Sequence, residues 1–308
     1  MTMKKREFAF FWGCQIPARF PFMEKSTRLV LDRLDVRYRD LDGFTCCPEK
    51  TLAKNMDSDL WKVMAARNIA VADKEGLDLL TACNGCYSTF KTVSSDIRTY
   101  PKTFKMVNEK LKPLNMEIGV NKYNIKHLVE LFHDDIGLSM LKKELKQSME
   151  GMKIAVHGGC HLTKPSKAIH FDNVQRPVKY DNLIEVLGAT SVDYDTKTLC
   201  CGGSLDRVDQ KEMATDMARA KLRELKTLKI DAISTTCPEC FRVFDTTQLL
   251  LNKAGDDFHI PVFTYPELLA LGMGVEPEEL GLENHRTACG PFIEKLNRIN
   301  ERKANVGA

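Results

Sequence analysis

The sequence predicts an α/β protein made of two copies of one module, each with a mainly parallel sheet. Three observations lead there. Ten of the eleven cysteines fall into two sets of five at closely matching spacings. The apolar runs are short and alternate with helix-length amphipathic stretches, the pattern of parallel sheets. The residues around the cysteines also repeat, at an offset too long for a solenoid, which marks a duplication. A chain of 308 residues is long enough for two such domains.

The elements follow in order. The run FAFFWGC puts a buried strand at 8–12 ahead of Cys14. It is too short, and too poor in small residues at its end, for a signal peptide, so a cytoplasmic protein is expected. Residues 59–75 have amphipathic helical spacing, and 79–82 form a second strand running into Cys83 and Cys86. The helix-like stretch YSTFKTVSSDI comes next, then IKHLVELF. The second module restarts at IAVHGGC, with a strand at 154–156 that matches the first. A helix over 210–228 is expected to keep Met213, Met217 and Ala220 on one side. A strand at 230–234 leads into Cys237 and Cys240, and FRVFDTTQLLL and YPELLAL follow. The charged stretch LKKELKQSMEGMK sets the boundary near 150, giving domains 1–150 and 151–308, each Rossmann-like in outline.

Ligands of such sheets collect at the carboxyl ends of the strands. Cys14, Cys83, Cys160 and Cys237 are expected there, with the adjacent pairs Cys46–Cys47 and Cys200–Cys201 in loops. Five thiols of each module would then converge at one sheet edge. Adjacent cysteines cannot easily bridge each other, and a reducing compartment opposes a disulfide framework. They rarely both ligate one zinc, and two structural zinc sites would leave one thiol idle in each module. An extended iron–sulfur cluster uses more of the pattern, since neighbouring thiolates can reach different irons. Glycines beside them let backbone amides approach the sulfur. Iron–sulfur is the favoured reading, with zinc in at least one module as the alternative.

Composition limits the function classes. A net charge of +3 is too near balance to argue for nucleic acid. No apolar run reaches the roughly 20 residues of a membrane span. There is no Gly-x-Gly-x-x-Gly to support flavin or nicotinamide binding on this chain. There is also no ferredoxin-type cysteine run, so electrons must come from a partner.

On these motifs the chain resembles the tandem cysteine-rich CCG-domain family. Within that family it is similar to the B-type subunits of the soluble heterodisulfide reductases of methanogens. The resemblance runs from Phe8 to about Arg286 and includes the tail IPVFTYPELLALGMGVEPEELGLENHR. One departure is visible: the first pair is followed by Pro48 where the second has Gly202. The resemblance implies two non-cubane [4Fe-4S] clusters. Cys14, Cys46, Cys47, Cys83 and Cys86 would hold the first; Cys160, Cys200, Cys201, Cys237 and Cys240 would hold the second. It implies a substrate, the coenzyme M–coenzyme B mixed disulfide. Breaking a disulfide takes two electrons, so each cluster is expected to deliver one and capture one thiolate, with no side-chain nucleophile needed. It also implies partners: a ferredoxin-like C-type subunit, a flavin-containing A-type subunit, and a hydrogenase or formate dehydrogenase upstream.

The anionic groups of such a substrate call for cations. Arg19, Lys50, Lys164, Lys167 and Arg207 lie near the cysteines in sequence, Lys164 and Arg207 being the candidates, against ordinary surface charge as the simpler reading. His157 and His161 flank Cys160 and could donate to a sulfide or thiolate, although a satisfied polar residue is the simpler reading for either. Cys289 stands outside the repeat as a small thiol, and its motif HRTACG offers no partners for a further site. Two rival functions stay open: an electron-relay component of another CCG-type oxidoreductase linked to quinones or hydroxy acids, and a zinc-binding structural protein.

Overall fold

The computed structural model describes residues 7–120 and 123–306; the basic start, residues 1–6, lies outside them. The chain forms two compact units, both discontinuous in sequence. The first holds residues 7–19, 31–128 and 160–174, and the second 20–30, 129–159 and 175–306.

The first unit carries β1 (Glu7–Phe11), β2 (Arg37–Arg39), α1 (Ser58–Lys74), β3 (Asp78–Thr81), α2 (Asn84–Thr99) and β4 (Ile125–His127). Its four strands run parallel in the order β2-β1-β3-β4. β1 reads as a continuous apolar run because both faces are covered: Phe8 to Phe11 are all buried. Asp57 caps α1 by accepting from the amides of Asp59 and Leu60 at 3.0 and 2.9 Å.

The second unit repeats the plan with β5 (Lys153–His157), β6 (Thr190–Val192), α3 (Lys211–Thr227), β7 (Ala232–Thr235), α4 (Pro238–Lys253) and β8 (Val262–Thr264). Its order is β6-β5-β7-β8, again all parallel. α5 (Tyr265–Gly272) and α6 (Gly290–Val306) follow. The α/β duplication expected from the cysteine repeat is therefore present, with its four central strands close to the expected positions. The three-residue strands β2, β4, β6 and β8 have no periodicity long enough to read from sequence.

One helix face differs from expectation. α3 buries Ala214, Ala218, Lys221, Leu222 and Leu225, whereas Met213 and Ala220 are exposed and Met217 is half-buried. The helix is turned by about one residue from the expected face, and the buried face includes Lys221. Its amine donates to the Thr196 carbonyl and lies 5.1 Å from the Tyr194 ring centroid. Burial pulls the Lys221 pKa down to about 8, although Glu224 and nearby cysteines oppose the shift.

In each sheet the strand order reverses direction between the two central strands. This switch point opens a crevice at their carboxyl ends. Cys14 follows β1 and Cys83 follows β3; Cys160 follows β5 and Cys237 follows β7.

Candidate metal centres

Each Cys-x-x-Cys sits on the first turn of a helix. Cys83 is the N-cap of α2, and Cys86 lies one turn on. Cys237 is the N-cap of α4, and Pro238 at the first helical position needs no hydrogen-bond partner for its nitrogen. The three-residue step places both thiols on the same side of the helix. The unpaired amides and the positive end of the dipole face whatever negative charge gathers there. The strand-to-helix turns are built alike: Thr81 Oγ1 accepts from the Cys83 amide at 3.3 Å, and Thr235 Oγ1 from the Cys237 amide at 3.5 Å.

In the first unit the Cys86 thiol is within hydrogen-bonding reach of Cys47 and Cys83. Cys47 and Cys86 are buried, Cys83 is half-buried, and Cys14 and Cys46 are exposed. The pair loop is held by α1: Asn68 accepts from the Thr45 amide at 2.8 Å and donates to the Cys46 carbonyl at 3.1 Å. Trp61 donates to the Pro48 carbonyl at 3.2 Å. Asn68 and Trp61 are both fully buried, and neither stands out in the sequence as a functional residue. The one available signal is a polar residue on an apolar helix face.

In the second unit Cys201 is within reach of Cys200 and Cys240, and Cys240 of Cys237. Here the backbone itself donates to sulfur: the Gly202 amide to Cys200 Sγ at 3.3 Å, and the Gly203 amide to Cys201 Sγ at 3.5 Å. Gly202 has φ +96°, and a Cβ on it would lie 2.7 Å from the Ala214 carbonyl oxygen, so only glycine fits this turn against α3. A ring nitrogen of His157 and the Cys201 and Cys240 sulfurs all lie within 4.8 Å of one another.

Crowding sets the electrostatics. Hydrogen bonding to Cys47 and Cys83, together with burial, pushes the Cys86 thiol well up. Cys201 is pushed up to about 12, first by Cys200 and also by burial. Buried thiols this close cannot ionise together unless a cation neutralises them. The close backbone fits such a group too: a Cβ on Gly13 would come 3.2 Å from Cys86 Sγ. The donor set, all sulfur with one buried histidine, suits a thiophilic metal or iron–sulfur group.

Cys160 and His161 belong to a short turn, Cys160–Leu162, which groups with the first unit. The Lys164 carbonyl accepts from Ser88 Oγ at 3.0 Å, while its side chain is exposed. Lys50 donates to Ser88 Oγ at 2.7 Å and Thr92 Oγ1 at 3.1 Å, and burial lowers its pKa to about 8. Arg207 is engaged by Glu239 at 2.8 Å. Arg19 and Lys167 are exposed.

Cys289 requires a correction. It is buried, and it has partners: His285 Nδ1 lies 3.3 Å from its sulfur, and His285 Nε2 lies 3.0 Å from Glu267. Glu267 also closes a capping box at the start of α5 by accepting from Thr264. Burial alone would lower the His285 pKa, but Glu267 and Cys289 hold it up, at about 11. Glu267 comes from α5, 18 residues away, which the motif alone could not reveal.

The cysteine-rich (CCG) domain family matches residues 8–91 and 154–245, one match on each copy of the module. The chain belongs to this family. It is 36% identical to the B subunit of the ferredoxin/F(420)H(2)-dependent CoB-CoM heterodisulfide reductase of Methanosarcina acetivorans, over 96% of this chain and 98% of that one. It is 26% identical, over 91% of this chain and 96% of the other, to the membrane anchor component of the 8-methylmenaquinol:fumarate reductase of Wolinella succinogenes. Among solved structures, a hypothetical protein from Helicobacter pylori shares the fold of the cysteine-rich domains. It superimposes with a TM-score of 0.73 at 18% identity, covering 92% of this chain and 52% of that one. No helix among the described residues is long and apolar enough to cross a membrane.

Proposed function

We propose that this chain is the disulfide-reducing component of a heterodisulfide reductase complex, acting on the mixed disulfide of coenzyme M and coenzyme B. The observation that carries the reading is the duplicated set of five cysteines, in a chain similar over nearly its whole length to the B subunit of a heterodisulfide reductase. Each set would hold one non-cubane [4Fe-4S] cluster: Cys14, Cys46, Cys47, Cys83 and Cys86 the first, and Cys160, Cys200, Cys201, Cys237 and Cys240 the second. The assignment of Cys160 rests on the sequence repeat.

Cleaving one S–S bond to two thiols takes two electrons and two protons. When bound, the clusters supply electrons one at a time and iron that accepts a thiolate as a Lewis acid. The chain's own residues do the rest. The N-termini of α2 and α4 stabilise thiolate charge at the Cys-x-x-Cys turns. Gly13, Gly202 and Gly203 let backbone come close to sulfur. No side-chain nucleophile is needed. Lys164 is a candidate for the substrate's anionic groups; Arg207, held by Glu239, is a weaker one. Electrons would come in the cytoplasm from a ferredoxin-like C-type subunit and a flavin-containing A-type subunit, with a hydrogenase or formate dehydrogenase upstream.

The test is iron and acid-labile sulfide on protein purified without oxygen, followed by thiol release from the mixed disulfide with a chemical reductant. About eight irons per chain with matching sulfide, and two thiols released per disulfide, are expected. A colourless zinc protein would overturn the reading. The similarity to a fumarate reductase component supports one rival, an electron relay. Full iron content with no thiol release would favour that rival.

A further inference from the structure

His157 is completely buried, and among the described residues neither of its ring nitrogens has a hydrogen-bond partner. This is unusual for so polar a group, because a buried N–H left unpaired forfeits its hydration and gains nothing in return. The ring is fixed rather than loose: it lies edge-on to Phe244, with centroids 4.8 Å apart and planes at 80°. In its neutral form the imidazole carries one N–H and one lone pair. Within 4.8 Å lie the sulfurs of Cys201 and Cys240.

The duplication provides an internal control. His157 pairs with Thr235 at the end of β5, in the register in which Phe11 pairs with Thr81 at the end of β1. Phe11 lies edge-on to Phe90 at 4.8 Å and 89°, as His157 does to Phe244. The two rings hold the same place against the same kind of neighbour. One has an N–H beside the cysteines; the other has none.

We propose that His157 is a positioning residue of the second centre, donating its ring N–H to a sulfur of the group that Cys201 and Cys240 hold. Such a bond relieves the partnerless N–H and withdraws electron density from sulfur, which raises the reduction potential of an iron–sulfur group. The two centres are then unequal, and the electron rests more readily on the second. The inference builds on the iron–sulfur reading above.

The experiment is potentiometric titration, followed by electron paramagnetic resonance, on wild-type protein, His157→Phe and His157→Gln, after iron and sulfide analysis of each. His157→Phe copies the first unit and suits the edge-on contact; His157→Gln keeps an N–H donor. With full iron, His157→Phe should move one cluster's midpoint to a more negative value and leave the other in place, and His157→Gln should recover part of the shift. In wild-type protein grown on ¹⁵N-histidine, a weak nitrogen coupling to the reduced second cluster should appear and vanish in His157→Phe. Unchanged midpoints at full iron would overturn the donor role alone. Loss of about half the iron in both variants would also overturn it and make His157 a ligand. Zinc in place of iron in the wild-type protein would instead remove the iron–sulfur reading itself.

Discussion

At the first site the cysteine pair runs into Pro48; at the second it runs into Gly202. Proline has no amide to donate, whereas the amides of Gly202 and Gly203 both point at cysteine sulfur. At the first site α1 grips the loop carbonyls through Asn68 and Trp61. At the second, α3 presses against a glycine and buries Lys221 nearby. The strand-to-helix junctions are otherwise near copies, down to the threonine that accepts the amide of the N-cap cysteine. The two units thus share what places the thiols and differ at the residue after the cysteine pair, which can donate an amide only in the second. Ligand geometry and electronic tuning are separable, because the first is set by backbone turns and the second by single neighbouring donors.

The largest expected effect tests the shared part. Cys86→Ala and Cys240→Ala should each remove the iron of one site, about half the total, leaving the other site's resonance signal intact. Metal analysis beside the spectrum checks this. If either variant lost all its iron, the two sites would not be independent copies.

A smaller effect belongs to the second unit alone. The Glu267–His285 pair has both side chains fully buried, and removing one partner of such a pair typically costs about 3–5 kcal/mol. His285→Ala should therefore lower the denaturant midpoint markedly. The raised pKa of His285 fixes the sign with pH. The folded state holds this proton more tightly, so the contribution is complete below about 6.5 and is lost as pH rises towards about 11. Stability of the wild-type protein should fall across that window, and the slope should flatten in the variant. An equal slope in both would show that His285 carries no charge in the folded protein.

The smallest effect sharpens the contrast in donors. Pro48→Gly returns an amide to the first loop and should shift the first cluster's midpoint slightly positive, with iron content unchanged. The potentiometric titration used for His157 measures it. No shift would mean that this amide does not reach sulfur, and the asymmetry would then rest on His157.

The sequence by itself determined the duplication, the α/β class, the central strands and the cysteine pattern. These are properties of spacing: apolar runs of fixed length and thiols at repeated intervals persist in one dimension. Tertiary structure decided which groups surround the thiols. α3 buries Lys221 and leaves Met213 exposed, and a carbonyl and an aromatic ring accommodate the buried amine. Cys289 gained His285 as a partner, and His285 in turn gained Glu267 of α5. His157 lost every polar partner among the described residues by lying at the end of a strand covered on both sides. Each of these outcomes depends on which side chains meet across elements, and packing settles that only once the chain has folded.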